Sequence, residues 1–356
     1  MNRRRNLLPL ILLTASFLLA DCTIPSIRDL RDSTPTPTIV QTNTPDAQTA
    51  LTTIPVTPTP LPPVPIAELG LAENPLILAL PPAANTQEQV TAAQQIAAQI
   101  TERTGYTVVT IVPETYTDLL TALANGNADI VLLEPYAYEL AYRQDLVRAS
   151  YAVIRDGEGK YGAQFIAARG SGFESYFNPL NETNIISDAR IAITQLANKK
   201  PCWSDETSAS GYVIPLGYLN MYQLNTRPAA FVGGHPTVVR SLYATGICDF
   251  GATYVDARKF PSLEDEYPDL VEQVVVIWRI PKIIPHEVLA FSTRMSQEMR
   301  DQISAIIPAI LQTEAGEAAF KTAYDIDEIE PVNDGYYEEF RIYLDESRVD
   351  LTTLVK

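Results

Sequence analysis

The sequence predicts an α/β protein built as a clamshell of two lobes, each a mainly parallel sheet flanked by helices. Short apolar runs alternate with helical patterns at the pitch of strand–helix–strand units, once over residues 76–133 and again over 189–255. Further apolar runs lie between and after these series, where a chain that leaves one lobe and returns to it must cross. Small polar residues open two helices of the second series, which gives a cleft between the lobes something to bind.

Taken in order, 76–80 is a short apolar strand, and 87–103 carries Val90, Ala93, Ile96, Ala97 and Ile100 at helical spacing before Gly105 ends it. Residues 107–112 form a strand, 116–124 a helix and 129–133 a strand of the fully buried type. Runs 148–155 and 162–168 read as strands leading out of the first lobe, and 170–187 as a loop. The second series is strand 189–194, helix 211–224, strand 229–232, helix 236–245 and strand 250–255. Runs 274–278 and 288–292 read as strands returning to the first lobe, which helices 297–311 and 315–324 close. The expected boundaries are 67–165 and 273–330 for the first lobe, 166–272 for the second, and 331–356 for a C-terminal extension without an assigned role.

The N-terminus precedes any fold. Three arginines before the apolar run 7–20 give the charged and hydrophobic regions of a secretory signal, and fourteen residues fall short of a bilayer span. Leu19-Ala20-Asp21-Cys22 resembles a bacterial lipoprotein processing site, which makes 1–22 a lipoprotein-type signal segment and Cys22 the lipidated residue. An uncleaved N-terminal anchor is the alternative, because Asp21 stands where a small residue is expected. Residues 23–66 form a Pro/Thr-rich stalk. Nine prolines and ten threonines between 33 and 65 favour extended polyproline II over any core.

A formal charge of −17, or −19 once residues 1–21 with three Arg and one Asp are removed, excludes nucleic acid as a partner. It also opposes a small anion at long range, so an anion site must work through local N–H groups and helix ends. With Cys22 lipidated, Cys202 and Cys248 remain as a pair that an oxidising compartment favours as a disulfide, with two separate buried thiols as the alternative.

The most informative residues are 202–212, 233–236 and 248–258. A helix start presents unpaired N–H donors and about half a positive charge, so two such ends aimed at one crevice hold an anion. Ser208-Ala209-Ser210-Gly211 is one such start; Gly233-Gly234-His235-Pro236 is the other, with proline at the first helical position. The order and spacing of the three pieces resemble the substrate-binding proteins of phosphonate and phosphite ABC importers. That family is a branch of the periplasmic binding proteins of type 2, and the resemblance covers residues 74–325.

The resemblance implies a two-lobed fold, an oxyanion held by Ser208, Ser210, Gly211 and His235, and Tyr136 as a cleft aromatic at the end of a first-lobe strand. In the family a Thr stands between the two serines; here Ala209 removes one hydroxyl donor and leaves the backbone donors. Asp256 matches a family position near the far end of the ligand, and with Glu134 it would meet a cationic or hydroxyl group, so that a zwitterion reconciles the site with the acidic chain. Pairing of Asp256 with Arg258 or Arg240 is the other reading.

Ser210, His235 and Asp256 lack the Gly-x-Ser-x-Gly elbow that would make them a hydrolase triad, and His235 and His286 have no ligand spacing for a metal. The sequence therefore predicts a binder without enzymatic activity, cofactor or metal. Its expected partners are a small anionic or zwitterionic solute, a membrane reached through the lipid, and an ABC permease or, alternatively, a sensory receptor. It is expected to act as a monomer outside the cytoplasm.

Overall fold

Residues 68–82 and 86–355 are described by a computed structural model. The expected signal segment with Cys22 and the stalk 23–66 lie outside the described residues. No described helix is long and apolar enough to cross a membrane.

The strands in chain order are β1 (Leu76–Ala79), β2 (Val108–Ile111), β3 (Ile130–Leu133), β4 (Val147–Ile154), β5 (Lys160–Ala168), β6 (Phe177–Asn178), β7 (Thr183–Asn184), β8 (Pro201–Trp203), β9 (Ala230–Phe231), β10 (Phe250–Tyr254), β11 (Val274–Pro285), β12 (Val288–Ser292) and β13 (Glu328–Pro331). A six-stranded sheet, β13-β4-β12-β3-β1-β2, forms the first lobe, and a five-stranded sheet, β11-β5-β10-β8-β9, the second. Each has a parallel half: β2-β1-β3 in one, β9-β8-β10 in the other. The crossover strands complete each sheet in antiparallel fashion. β3 is buried at every position, as expected of a central strand covered on both faces.

Local chemistry explains the elements the sequence signals most clearly. Helix Gln87–Thr104 starts on a reciprocal cap between Thr86 and Gln89 and ends at Gly105, whose φ of 80° lets its N–H reach Thr101. Its Ala93, Ile96, Ala97 and Ile100 pack with Ile303, Ile307 and Phe320 from the helices Gln297–Leu311 and Glu314–Tyr324.

Cys202 and Cys248 form a disulfide with Cα atoms 5.6 Å apart, which removes the alternative of two free thiols. The bridge anchors the loop before β10 to β8, which pairs with β10 through Gly251 and Cys202. Closing a loop of 46 residues lowers the entropy of the unfolded chain by ~4 kcal/mol at room temperature in the chain-entropy model.

Two expectations need correction. The run beginning at Val274 does not return to the first lobe: β11 continues to Pro285 and pairs with β5 inside the second sheet. The second sheet thus spans 160–285 rather than 166–272, and the crossings fall at 155–159 and 286–287. There His286 N–H bonds the Gly159 carbonyl at 3.2 Å and Val153 N–H bonds that of Glu287 at 2.9 Å. Apolar strands buried in either lobe look alike in sequence, so their membership was not legible.

The run 189–194 is not a strand. It is the helix Ala189–Ile193, capped by Asp188, followed by one tight turn to Leu196, because so short an apolar run has no distinguishing period. The C-terminal extension 331–356 packs into the fold. Tyr337, Phe340, Leu344, Leu351 and Leu354 are buried in one apolar cluster with Tyr136 and Ala137 of the first lobe and Val213 and Tyr218 of the second.

Candidate functional site

After β8 the chain turns through residues 204–208 into a wide helical turn, Ala209–Val213, that runs straight into the helix Ile214–Met221. Ser208 caps this start: its Oγ accepts the Gly211 N–H at 3.0 Å and lies 3.3 Å from His235 Nε2. His235 begins the helix His235–Tyr243, with Pro236 in its first turn. Its Nδ1 accepts the Tyr254 N–H at 3.4 Å, which places the proton of the neutral ring on Nε2, pointing at Ser208. Burial holds the imidazole below its ordinary range, although Asp205 pulls the other way, so the neutral form is favoured. With both Ser208 lone pairs engaged, its hydroxyl proton is left to donate.

Ser210 is buried, and burial pushes the neighbouring Tyr161 hydroxyl up to about 12, with Ser210 pulling the other way. Gly211 has no room for a side chain. A Cβ there would stand 2.0 Å from Ser204 Oγ and 2.9 Å from His235 Cε1. Glycine is therefore what brings the two helix starts together.

The facing wall comes from the end of β3. Glu134 and Pro135 begin the helix Pro135–Arg143, so Tyr136 and Glu134 project from its first turn. Tyr136 is 5% exposed and its hydroxyl has no hydrogen-bond partner. Such a group costs free energy unless something else meets it. Burial first, and then the Glu287 carboxylate, push the Glu134 carboxyl up to about 7. Glu287 is itself held by Arg155, with Arg Nε 3.0 Å and Nη2 3.1 Å from its oxygens. Tyr116 lies close enough to both carboxylates that they add to burial in raising its pKa.

These groups converge. Glu134, Tyr136, Tyr161, Ala209, His286 and Glu287 line one cavity of about 260 Å³. A larger cleft of about 870 Å³ shares Tyr161, His286 and Glu287 with it and adds Ser210, His235 and Tyr254. Ser208 and Gly211 line neither; they adjoin the cleft through Ala209, Ser210 and His235.

Asp256 is placed differently. Its carboxylate is 5% exposed and is taken by Arg258 Nη2 at 2.6 Å and Nε at 2.9 Å, by Gln164 Nε2 at 2.7 Å and by Arg279 at 3.4 Å. Burial opposes ionisation, yet Arg258 and Gln164 hold the group below the usual carboxylate range. With its oxygens so engaged it fixes the end of β10, and of the two readings the pairing with Arg258 is the one observed. Arg240 pairs instead with Glu266 at 2.7 Å.

Tyr161, His286 and Glu287 were not singled out from the sequence. All three lie on or beside the crossings, and the Tyr161 and His286 rings stack with centroids 5.1 Å apart. Correct assignment of β5 and β11 to the second sheet was the signal that would have found them. Among the described residues no cluster of His, Cys, Asp and Glu could hold a metal ion.

Two sheets joined by two crossings, with helix starts from one lobe facing an unsatisfied tyrosine and a carboxyl from the other, define a two-lobed α/β protein with a candidate solute cleft between its sheets. The family model described as "ABC transporter, phosphonate, periplasmic substrate-binding protein" matches residues 78–337, and the chain belongs to that family. The work of such a protein is to bind a small anionic substrate outside the cytoplasm and serve an ABC permease.

The fold is shared with XAC2383 from Xanthomonas citri. In its chloride-bound structure the TM-score is 0.54 at 16% identity, covering 77% of this chain and 97% of that one. In its ATP-bound structure the values are 0.55, 14%, 79% and 99%. PhnD1 from Prochlorococcus marinus, solved with methylphosphonate, aligns at 15% identity and a TM-score of 0.45 over 75% of this chain and 96% of that one. A comparison with curated proteins finds no match.

Proposed function

We propose that the chain is a monomeric lipoprotein, anchored through Cys22 and held off the membrane by its Pro/Thr-rich stalk, that binds a small solute with an oxyanion head and delivers it to an ABC permease. Ser208, Ser210, Gly211 and His235 take the oxyanion, Tyr136 closes over it, and Glu134 meets a hydroxyl or ammonium group at the other end. The observation that carries this reading is the buried, unpartnered Tyr136 hydroxyl beside a cavity lined also by Glu134, Tyr161 and Ala209. A ligand oxygen would satisfy it. The Glu134 carboxyl, raised to about 7 beside a second carboxylate, favours a zwitterion over a simple anion. Asp256 takes no direct part and braces the second-lobe wall.

Thermal denaturation of the full chain tests this reading with methylphosphonate, phosphite, phosphate, sulfate, methanesulfonate and 2-aminoethylphosphonate. A ligand at 100 times its Kd raises stability by ~2.7 kcal/mol. A raised midpoint with 2-aminoethylphosphonate beyond that with methylphosphonate is expected. No response to any phosphorus or sulfur oxyanion would leave the family fold with a different class of solute.

A further inference from the structure

The C-terminal segment is the feature that binding alone does not require. It follows β13 in the first sheet, and its short turn Asp334–Tyr337 leads into the helix Glu338–Ser347. On the first-lobe side, Asp334 accepts hydrogen bonds from the Tyr138 hydroxyl and, at 3.0 Å, from the Ala149 N–H. Arg341 meets the fully buried Glu139 through two bonds of 2.8 and 2.9 Å, and Asp345 pairs with Arg143. Both Glu139 and Arg143 belong to the helix whose first turn carries Glu134 and Tyr136, and the Tyr136 ring lies 6.0 Å from Phe340.

The same helix grips the other lobe. The Tyr343 ring stacks on Tyr218 with centroids 3.8 Å apart and planes 5° apart. Asn220 Nδ2 donates to the carbonyls of Glu346 and Ser347 at 2.9 and 3.1 Å. The contact at Gly217 is so close that a Cβ there would stand 2.0 Å from the Tyr343 carbonyl oxygen. Gly217, Tyr218 and Asn220 all sit on the helix that continues the Ser208–Gly211 start.

One helix therefore holds, by ion pairs on one side and by stacking and backbone capture on the other, the two helices that present the opposite walls of the cleft. Two crossing segments alone leave a hinge about which lobes can rotate. A third connection beyond them, which meets the first crossing where Lys160 donates to the Tyr336 carbonyl at 2.6 Å, removes that freedom while it is engaged. We propose that the helix Glu338–Ser347 is a clasp that sets the separation of the two lobes, so that the cleft is held near one width with no solute present and Tyr343, Arg341 and Asn220 act as positioning residues for the site.

The test needs no solute and is independent of what the cleft binds. Spin labels carried on unnatural amino acids replace the exposed Glu298 of the first lobe and Glu264 of the second in the full chain, and their distance distribution is measured by pulsed electron resonance. One narrow distribution is expected without ligand. Tyr343→Ala and Asn220→Ala, made separately, should broaden it and move it to longer distance, with the circular dichroism unchanged. If Tyr343→Ala does not fold, Asn220→Ala decides alone, since it removes only two hydrogen bonds at the helix end. A broad distribution in the unsubstituted chain, or an unchanged one in the folded variants, overturns the clasp.

Discussion

On the second-lobe wall of the cleft the two helix starts have internal partners, Ser208 with Gly211 and His235, and His235 with Tyr254, while the Ser204 hydroxyl behind Gly211 is buried without one. On the first-lobe wall the Tyr136 hydroxyl is buried without one, and Glu134 faces Glu287 rather than a cation. The first arrangement is preorganised: its donors are already aimed, and little ordering is left for a ligand to bring about. The second is costly as it stands and is relieved only by an incoming group. In the site proposed above, orientation comes mainly from the second-lobe helix starts and an unmet hydroxyl from the first-lobe tyrosine, and a solute that bridges them gains from both.

The largest expected effect comes from removing the preorganised wall. In Ser210→Ala with His235→Ala, the Ser210 hydroxyl and the imidazole that orients Ser208 are both removed; one hydrogen bond to a charged head contributes about 1.5 to 3 kcal/mol, so Kd should rise by at least about 10-fold to 100-fold. Calorimetric titration with the best solute of the thermal panel measures it. Full affinity in the double variant would place the oxyanion elsewhere.

Tyr136→Phe tests the other wall and should act in opposite directions on its two readouts. Removing an unsatisfied buried hydroxyl should stabilise the solute-free protein by about 1 to 3 kcal/mol, while solute affinity falls. Chemical denaturation and titration on the same sample give both numbers. A variant that loses stability would show the hydroxyl to be satisfied without ligand.

The smallest and most discriminating effect is that of pH. Because the Glu134 carboxyl is raised to about 7 from an ordinary value of 4.5, its protonated form is the one the fold favours. Its contribution to stability is fully present below about 4.5 and declines as pH rises through about 7. Binding of an ammonium group should change the other way, strengthening over that interval as the carboxylate forms. 2-Aminoethylphosphonate and methylphosphonate ionise at different pH, so Glu134→Gln, which keeps that difference, is the reference. The ratio of their affinities should climb more steeply through about 7 in the native chain than in Glu134→Gln; the same pH dependence in both would remove the cationic end of the ligand.

The second-lobe side of this contrast was legible in the sequence, while the unmet hydroxyl opposite it was not. The helix start at Ser208–Gly211 and the Gly-Gly-His-Pro turn advertise themselves through residue types that serve few other purposes together. Asp256 could not be settled because a carboxylate two residues from an arginine reads equally as ligand and as brace. Only the placement of Gln164 and Arg279 on neighbouring strands of its sheet decides it. Tyr161, His286 and Glu287 were hidden for a topological reason: β11 is long and apolar like any buried strand, and which sheet it joins depends on pairing partners more than 100 residues away. The C-terminal clasp was illegible for a similar reason, since alternating acidic and aromatic residues describe a surface helix until its two neighbours are known.

The Cys202–Cys248 bridge carries a consequence for timing. It fastens β8, from which the Ser208 turn departs, to the loop leading into β10, whose Tyr254 steadies His235. Thiols stay reduced where proteins are synthesised and pair only beyond the membrane. The newly made chain therefore has the wall proposed above for the oxyanion uncross-linked on the side where cellular anions are abundant, and that wall is stiffened only after export. Compartment, as well as sequence, completes the receptor.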